Sequence, residues 1–415
     1  MKGPSLPQAR STHHVQLLEG GEALFPAMVR AIALSVREVR LETYIFHFDA
    51  SGERVAEALL SAARRGVSVY LVMDGVGTPA VPARWAARFD EAGVQWRIFL
   101  PLGRLGLLIP SRWRRLHRKL CVVDGRVAFC GGINVLDDRF DPNHGVLAAP
   151  RLDFAVRVRG PLVRAVHEVM TQFWWRLQTV QDVKNVDLVA SWRDLEQAVR
   201  LARQARGVSD EEGDMPEAGG TEPPSTRAGL LLRDNLRHRS HIERAYRKAI
   251  AEAREEIIIA NAYFLPGRKL RKALILAAQR GVRVRLLLQG RYEYFMQYHA
   301  VRMVYGVLLR AGVEIHEYAP SFLHAKVAVI DGRWSTVGSS NLDPLSMLLA
   351  REANVVVTGA MFAQELRARL LRAMQDEGRR VDPAGYADRP WQQRLLDRVA
   401  FGLMRTMIFL SGKRY

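Results

Sequence analysis

One stretch of this chain occurs twice. His117-Arg118-Lys119 is followed after four residues by Asp124 and after six more by Gly131-Gly132-Ile133-Asn134, and His324-Ala325-Lys326 is followed at the same spacings by Asp331 and by Gly338-Ser339-Ser340-Asn341. A lone H-x-K arises by chance in ordinary chains. Four matched residue types at identical spacing, present twice, point instead to two copies of one folding unit that bring like chemistry together. Other matches follow the repeat: Arg65-Gly66-Val67 answers to Arg280-Gly281-Val282 at an offset of 215, Ala92-Gly93-Val94 to Ala311-Gly312-Val313 at 219, and the motif histidines stand 207 apart. Drifting offsets mean loop insertions between two copies of a domain.

At 415 residues the chain exceeds what one hydrophobic core usually organises, which agrees with two domains. Each copy alternates strand and helix in the order of parallel βαβ units. In the first, strands are expected at 15–18, 39–48, 67–73 and 94–99, with helices over 21–35, 51–65 and 82–92. In the second, helices over 242–254 and 268–280 alternate with strands at 256–263 and 282–289. The expected fold class is α/β, two similar βαβ domains in one chain with the active site at their interface. The expected boundaries are 1–180 for the first domain, 181–228 for a helical and disordered linker, 229–380 for the second domain and 381–415 for an amphipathic tail. Within the linker, residues 207–227 hold Gly, Pro, Ser, Glu and Asp with almost no large apolar side chain, the composition of a disordered segment.

A net charge of +18 implies a polyanionic partner, nucleic acid or an acidic lipid surface. The two cysteines, Cys121 and Cys130, support no disulfide framework and read as small apolar residues on buried strands. Residues 1–16 hold no apolar run of signal-peptide type, and no segment approaches the roughly 18 apolar residues of a membrane span, so a cytoplasmic protein able to lie on a membrane is expected.

In each motif the His and Lys stand two apart in a strand-like segment, so both side chains leave the same face. Asp124 and Asp331 lie at odd separation from their histidines and precede Gly125 and Gly332, a hairpin-turn signal. They belong to the motif, but parity and turn position argue that they stabilise the local fold. Gly131-Gly132 and Gly338-Ser339 supply short side chains where backbone and ligand approach closely, and Asn134 and Asn341 offer amide donors to phosphoryl oxygens. Two histidines, two lysines and two asparagines at one interface would bind a phosphodiester without a metal or other cofactor. One imidazole attacks phosphorus and the other protonates the departing oxygen, each oriented by a carboxylate. Asp153 and Glu352, 36 and 28 residues after the motif histidines, begin strand-like runs and are the candidate partners.

These residues resemble the phospholipase D superfamily, whose signature is H-x-K-x4-D followed by G-[GS]-x-N. Glu42-Thr43-Tyr44-Ile45-Phe46, Asn261-Ala262-Tyr263-Phe264-Leu265-Pro266 and Gly338-Ser339-Ser340-Asn341-Leu342-Asp343-Pro344 are similar to bacterial cardiolipin synthases of the B type, over roughly 15–381. The resemblance implies two phospholipase D-like sandwich domains. It also implies transfer of a phosphatidyl group from one phosphatidylglycerol to another through a phosphohistidine, with release of glycerol. By the same likeness His117 is the nucleophile, His324 the general acid, and the acid after each motif orients the histidine of its site. Gly132 stands where many members have Ser, so a hydroxyl contact to phosphate is expected to be absent there, while Ser339 keeps it.

Two regions lie outside the repeat. Leu105 to Ile109, flanked by Arg104 and Arg112-Trp113-Arg114-Arg115, sets apolar beside cationic residues as either a packing loop or a membrane-touching lip. Residues 391–410, wound as a helix, bring Arg394, Arg398 and Arg405 within about 40° of one another, with Trp391, Leu395, Leu403, Met407 and Phe409 on other faces, which suits an interfacial helix. Both features favour anionic phospholipid and a membrane surface over nucleic acid as partner, although a phosphodiesterase or nuclease could use the same catalytic residues. Intact motifs disfavour an inactive lipid-binding module. His13, His14, His144, His238 and His241 read as solvated, as does the acidic cluster Asp137, Asp138 and Asp141. Trp174-Trp175 reads as helix packing.

Overall fold

A computed structural model describes residues 12–103, 110–184, 224–234, 238–292, 295–343 and 350–410, and within them all side chains but those of 110–111, 180–184, 295–297, 404–405 and 407–410. The first half runs β1 (Thr12–Glu19), α1 (Gly20–Ala33), β2 (Glu38–Thr43), α2 (Ala50–Arg64), β3 (Ser68–Asp74), α3 (Ala83–Ala92) and β4 (Gln95–Phe99). It continues with β5 (Arg115–Leu116), β6 (Lys119–Val123), β7 (Val127–Gly131), a small hairpin of β8 (Phe140–Asp141) and β9 (Gly145–Val146), β10 (Phe154–Arg159) and α4 (Leu162–Lys184). The second half runs β11 (Ser225–Arg233), α5 (His241–Glu252), β12 (Glu256–Asn261), α6 (Arg268–Gln279), β13 (Arg283–Gln289), α7 (Phe295–Arg310) and β14 (Glu314–Tyr318). After it come β15 (Lys326–Ile330), β16 (Trp334–Gly338), β17 (Ala350–Thr358), α8 (Ala360–Arg372), β18 (Gly378–Arg380), α9 (Pro383–Ala387) and α10 (Trp391–Leu410).

The two halves repeat one topology. β2, β3 and β4 pair in parallel, as do β12, β13 and β14, and in each half an antiparallel hairpin, β6–β7 or β15–β16, continues the sheet from its first parallel strand. The halves join edge to edge where β1 pairs with β11, giving one sixteen-stranded sheet. Its two wings also face each other: Leu120, Val122, Val156 and Val158 of one pack with Ile258, Val327, Val329 and Val355 of the other in a shared core. Helices α1 to α3 cover the outer face of the first wing and α5 to α7 that of the second. Burying both faces of a central strand removes the polar alternation of an exposed sheet, which is why β6 and β15 are apolar throughout after their motif lysines.

Several expectations need correction. The stretch 207–227 was expected to be disordered, yet Ser225–Arg227 opens β11, because pairing with β17 and β1 outweighs its polar composition. The strand expected over 39–48 ends at Thr43, beyond which Phe46 makes only an isolated bridge to Val135. His13 is fully buried, since the alternation of β1 turns it inward, and its Nδ1 lies 3.3 Å from the Leu162 amide. Asp138 and Asp141 are not solvated: Asp141 accepts from Arg151 at 2.9 Å and contacts His144, and Asp138 accepts the Gly21 amide at the start of α1. Cys121 and Cys130 are buried and free. They take part in adjacent cross-strand pairs, Cys121 with Phe129 and Cys130 with Leu120, so they face opposite cores. Trp174 is buried between α4 and the sheet. Leu105 to Ile109 lies outside the described residues.

Candidate active site

His117 lies between β5 and β6, and His324 two residues before the start of β15. Each is fixed by the other half. β5 pairs in parallel with β17, so the His117 amide donates to Arg351 O at 3.0 Å; Leu152 bridges Leu323, so the His324 amide donates to Leu152 O at 2.9 Å. The residue after each of those carbonyls is an acid, and its side chain takes the same histidine. His117 Nδ1 lies 3.1 Å from both Glu352 oxygens, and His324 Nδ1 lies 2.6 Å from Asp153 Oδ2. The expected acid partners are thus present, but they cross: the acid following one motif orients the histidine of the other. With Nδ1 engaged, Nε2 of each ring is the atom left to meet a substrate.

Lys119 and Lys326 are buried beside them. Lys119 Nζ donates to His117 O at 2.8 Å, Lys326 Nζ donates to His324 O, and Lys326 also stands 4.0 Å from Asp153. Burial pulls the Lys119 ammonium down to about 7, with Lys326 adding to the effect. His117 is lowered by burial and by the lysine charges, against the pull of Glu352. His324 is lowered further, by burial and then by Lys326 and Lys119. Cations of both halves therefore act on one small volume, the setting for a phosphate anion.

The two acids are not equivalent. Burial pushes Glu352 up, but His117, Arg233 and Lys119 more than offset it and hold the carboxyl below its usual range. Asp153 is pushed up to about 6 by burial despite Lys326. Their surroundings also differ at the motif's second small residue. Ser339 is fully buried and its hydroxyl donates to Glu352, whereas a Cβ on Gly132 would stand 2.4 Å from the Asp153 carboxylate. The serine thus braces the acid, and Gly132 makes room for Asp153. Gly131 and Gly338 likewise answer to packing: a Cβ there would meet Ala155 Cα at 2.5 Å or the Asn354 side chain at 2.3 Å.

Asn134 and Asn341 are buried near the motifs; Asn134 Oδ1 accepts the Ile45 amide at 3.2 Å, which turns its NH2 group away from that loop. Asp124 accepts the amides of Val36, Arg37 and Glu38 at 2.8–3.0 Å, and Asp331 those of Arg254, Glu255 and Glu256 at 2.9–3.0 Å. Both aspartates sit in the left-handed turn, at φ 53° and 50°, and tie each motif hairpin to the chain entering β2 or β12. That geometry gives them a structural place, as parity indicated.

Three residues have a place at the site that the motif spacing does not give. Asp74, at the end of β3, accepts the Leu116 amide at 2.7 Å and the Arg115 guanidinium at 3.1 Å; Gln289, at the end of β13, accepts the Leu323 amide at 3.1 Å. Each thus holds the residue immediately before a motif histidine. The signal was present, for Asp74-Gly75 and Gln289-Gly290 match at the offset of 215 that relates the Arg-Gly-Val pairs. Tyr44 is the third: its ring lies 5.0 Å from that of His117, with Lys119 Nζ 5.4 Å from its centroid. The bridges Phe46–Val135 and Phe264–Leu342 make Ala262 its counterpart, so the equivalent position of the second half carries no ring.

Comparison with known proteins agrees with this geometry. A family model described as "Cardiolipin synthase, PLD-like domain" matches residues 28–153 and again 246–374. Cardiolipin synthase B of Escherichia coli (strain K12) is 36% identical over 403 residues, covering 97% of this chain and 90% of its own, and that of Salmonella typhi is equally similar. Among solved structures, phosphatidylserine synthase of Haemophilus influenzae superposes with a TM-score of 0.63 at 11% identity, over 96% of both chains, a likeness of fold. The doubled model, the identity along nearly the whole chain and the paired H-x-K sites at the junction of the halves show that the chain belongs to the cardiolipin synthase family, phosphatidyltransferases of the phospholipase D superfamily.

Proposed function

We propose that the protein makes cardiolipin from two molecules of phosphatidylglycerol through a phosphohistidine, at the membrane and on its cytoplasmic side. The observation that carries this reading is the crossed pair of His–carboxylate contacts enclosing two buried lysines. The first phosphodiester sits between Lys119 and Lys326, with the Asn134 and Asn341 amides on its oxygens. His117 donates Nδ1–H to ionised Glu352, so its Nε2 lone pair attacks phosphorus; a P–N bond forms and the P–O bond to glycerol breaks. His324 delivers its Nε2 proton to the departing oxygen, releasing glycerol. The lysine charges that depress His324 are offset once an anion lies between them, so substrate binding itself favours the protonated ring. In the return step His324 takes the proton from a hydroxyl of the second phosphatidylglycerol, that oxygen attacks phosphorus, and the P–N bond breaks. One phosphodiester is exchanged for another, so no external energy source is required.

Incubation of the purified protein with phosphatidylglycerol vesicles, followed by lipid mass spectrometry, tests the reading. Cardiolipin and glycerol in equal amounts are expected, with neither product from His117→Ala or His324→Ala. Phosphatidic acid as the sole lipid product would make water the acceptor and overturn it. A phospho-adduct trapped on His324 alone would reverse the assignment of nucleophile and acid.

A further inference from the structure

Helix α10 packs along α7 and, among its described side chains, buries one edge. Among its described side chains Asp397 and Ala400 are buried: Asp397 is 1% exposed, accepts from His299 of α7 at 2.8 Å and from Arg389 at 2.9 Å, and Phe401 packs against the core of the second half. Trp391, Leu395, Leu396, Val399 and Leu403 remain 44–65% exposed. At 3.6 residues per turn they cover an arc of about 140°. Arg394 and Arg398 are exposed along one border of that arc. Asp397, the helix's single acid, is turned inward, so the outer face carries no negative charge.

The placement of the helix matters as much as its composition. Tyr386 of α9 donates to Arg302 O and packs on Tyr305, in the middle of α7, while Asp397 reaches His299, nearer its start. The chain therefore runs back along α7 toward its N-terminal end. α7 begins just after the loop in which the Arg291 guanidinium lies 5.4 Å over the Phe322 ring, and Phe322 precedes His324 by two residues. The apolar face thus extends toward the end of the fold where the motif histidines lie.

We infer that the exposed face of α10 docks the protein on an anionic phospholipid bilayer, lying in the plane of the headgroups beside the active site. The inference rests on the lipid-substrate reading above and adds the surface that delivers the enzyme to its substrate. Apolar side chains enter the headgroup region while Arg394 and Arg398 meet lipid phosphates, the arrangement of an interfacial helix. A second copy of the chain fits less well, because burying this face against itself would draw the arginines of both copies together. Among the described residues no helix is long and apolar enough to cross a membrane, so the contact is with the surface.

The test uses the full chain with Leu395→Ser, Val399→Ser and Leu403→Ser combined, all exposed positions whose replacement leaves the core intact. Sedimentation with vesicles of phosphatidylglycerol and phosphatidylcholine should show affinity falling by about tenfold or more. Turnover of a short-chain, monomeric phosphatidylglycerol should stay within about twofold of the unchanged protein, since docking is then bypassed. Arg394→Gln with Arg398→Gln should weaken binding to anionic vesicles and reduce its salt sensitivity. Unchanged vesicle affinity in the triple variant overturns the inference, as does loss of a dimer by light scattering with vesicle binding retained. Should the protein bind through α10 but form no cardiolipin, the functional reading fails while the docking surface stands.

Discussion

Glu352 accepts the Nδ1 proton of His117, a residue 235 positions earlier in the chain. The reciprocal contact joins Asp153 to His324, so each motif histidine takes its acid from the other half. Crossing has a spectroscopic consequence. Glu352→Gln should shift the Nδ1–H resonance of His117 and leave that of His324 in place, and Asp153→Asn should do the reverse. Each substitution should also lower turnover by about 10²- to 10³-fold, within the usual contribution of a positioned acid or base. Movement of the His117 resonance in Asp153→Asn would contradict the crossed arrangement.

Asp74 and Gln289 act on the histidines at one remove. Asp74→Ala leaves the Leu116 amide without its acceptor and releases Arg115, which also binds Leu100 O. Turnover should fall by about tenfold or more with KM little changed, because the altered element is the aim of His117 and not the phosphate cradle. Asp74→Asn retains an acceptor for the amide and should recover most of the loss. Equal failure of both variants would mean that the ion pair with Arg115, not the backbone contact, is what counts. Gln289→Ala should impair the His324 side in the same manner.

How far the sequence reached follows from which interactions are local in pattern. The βαβ order was legible because periodicity and the glycine stops after α2 and α3 are local, and the candidate site was legible because its residues come as a repeated cluster. Crossing of the acids was not, since Asp153 and Glu352 each follow one motif in the chain and meet the other only through the β5–β17 and Leu152–Leu323 contacts. The contact of the Ser339 hydroxyl with Glu352 is equally hidden in the sequence, because Glu352 comes from an adjacent strand. Residues 225–227 were read as linker because their composition is polar, whereas their state is set by strands on either side. His13 shows the same limit: strand parity, not residue type, decided its burial.

Asp124 and Asp331 should prove dispensable for chemistry and costly for folding. Each carboxylate accepts three backbone amides, and each residue occupies a left-handed turn that Asn tolerates better than Ala. Asp124→Ala should lower stability by about 2–4 kcal/mol, from amides left unpaired and from backbone strain, and Asp124→Asn by less. Denaturant titration measures this. Turnover per folded molecule should remain near that of the unchanged protein; loss of turnover without loss of stability would place Asp124 in the catalytic step after all.

Lys119 should set an alkaline limit to substrate capture. Its ammonium is held down to about 7 by burial, with Lys326 contributing, and the cation is the form that attracts a phosphodiester. As pH rises through 7 in the free enzyme the proton leaves, so kcat/KM should decline toward about tenfold per pH unit above that point, while kcat, which reports the complex, declines later. Lys119→Arg keeps its charge throughout and should remove this limb even if its larger head lowers the plateau. The same burial affects stability with a definite sign. A lysine whose folded pKa lies below its unfolded value favours the folded state least when charged, so its unfavourable contribution is fullest below about pH 7 and fades as pH rises through the range up to the unfolded value near 10.4. Lys119→Met should therefore be more stable than the unchanged protein at pH 6, and the margin should narrow by pH 9. A margin that widens between those two values would show that Lys119 is held as a cation by its neighbours, and the alkaline limb of kcat/KM would then need another owner.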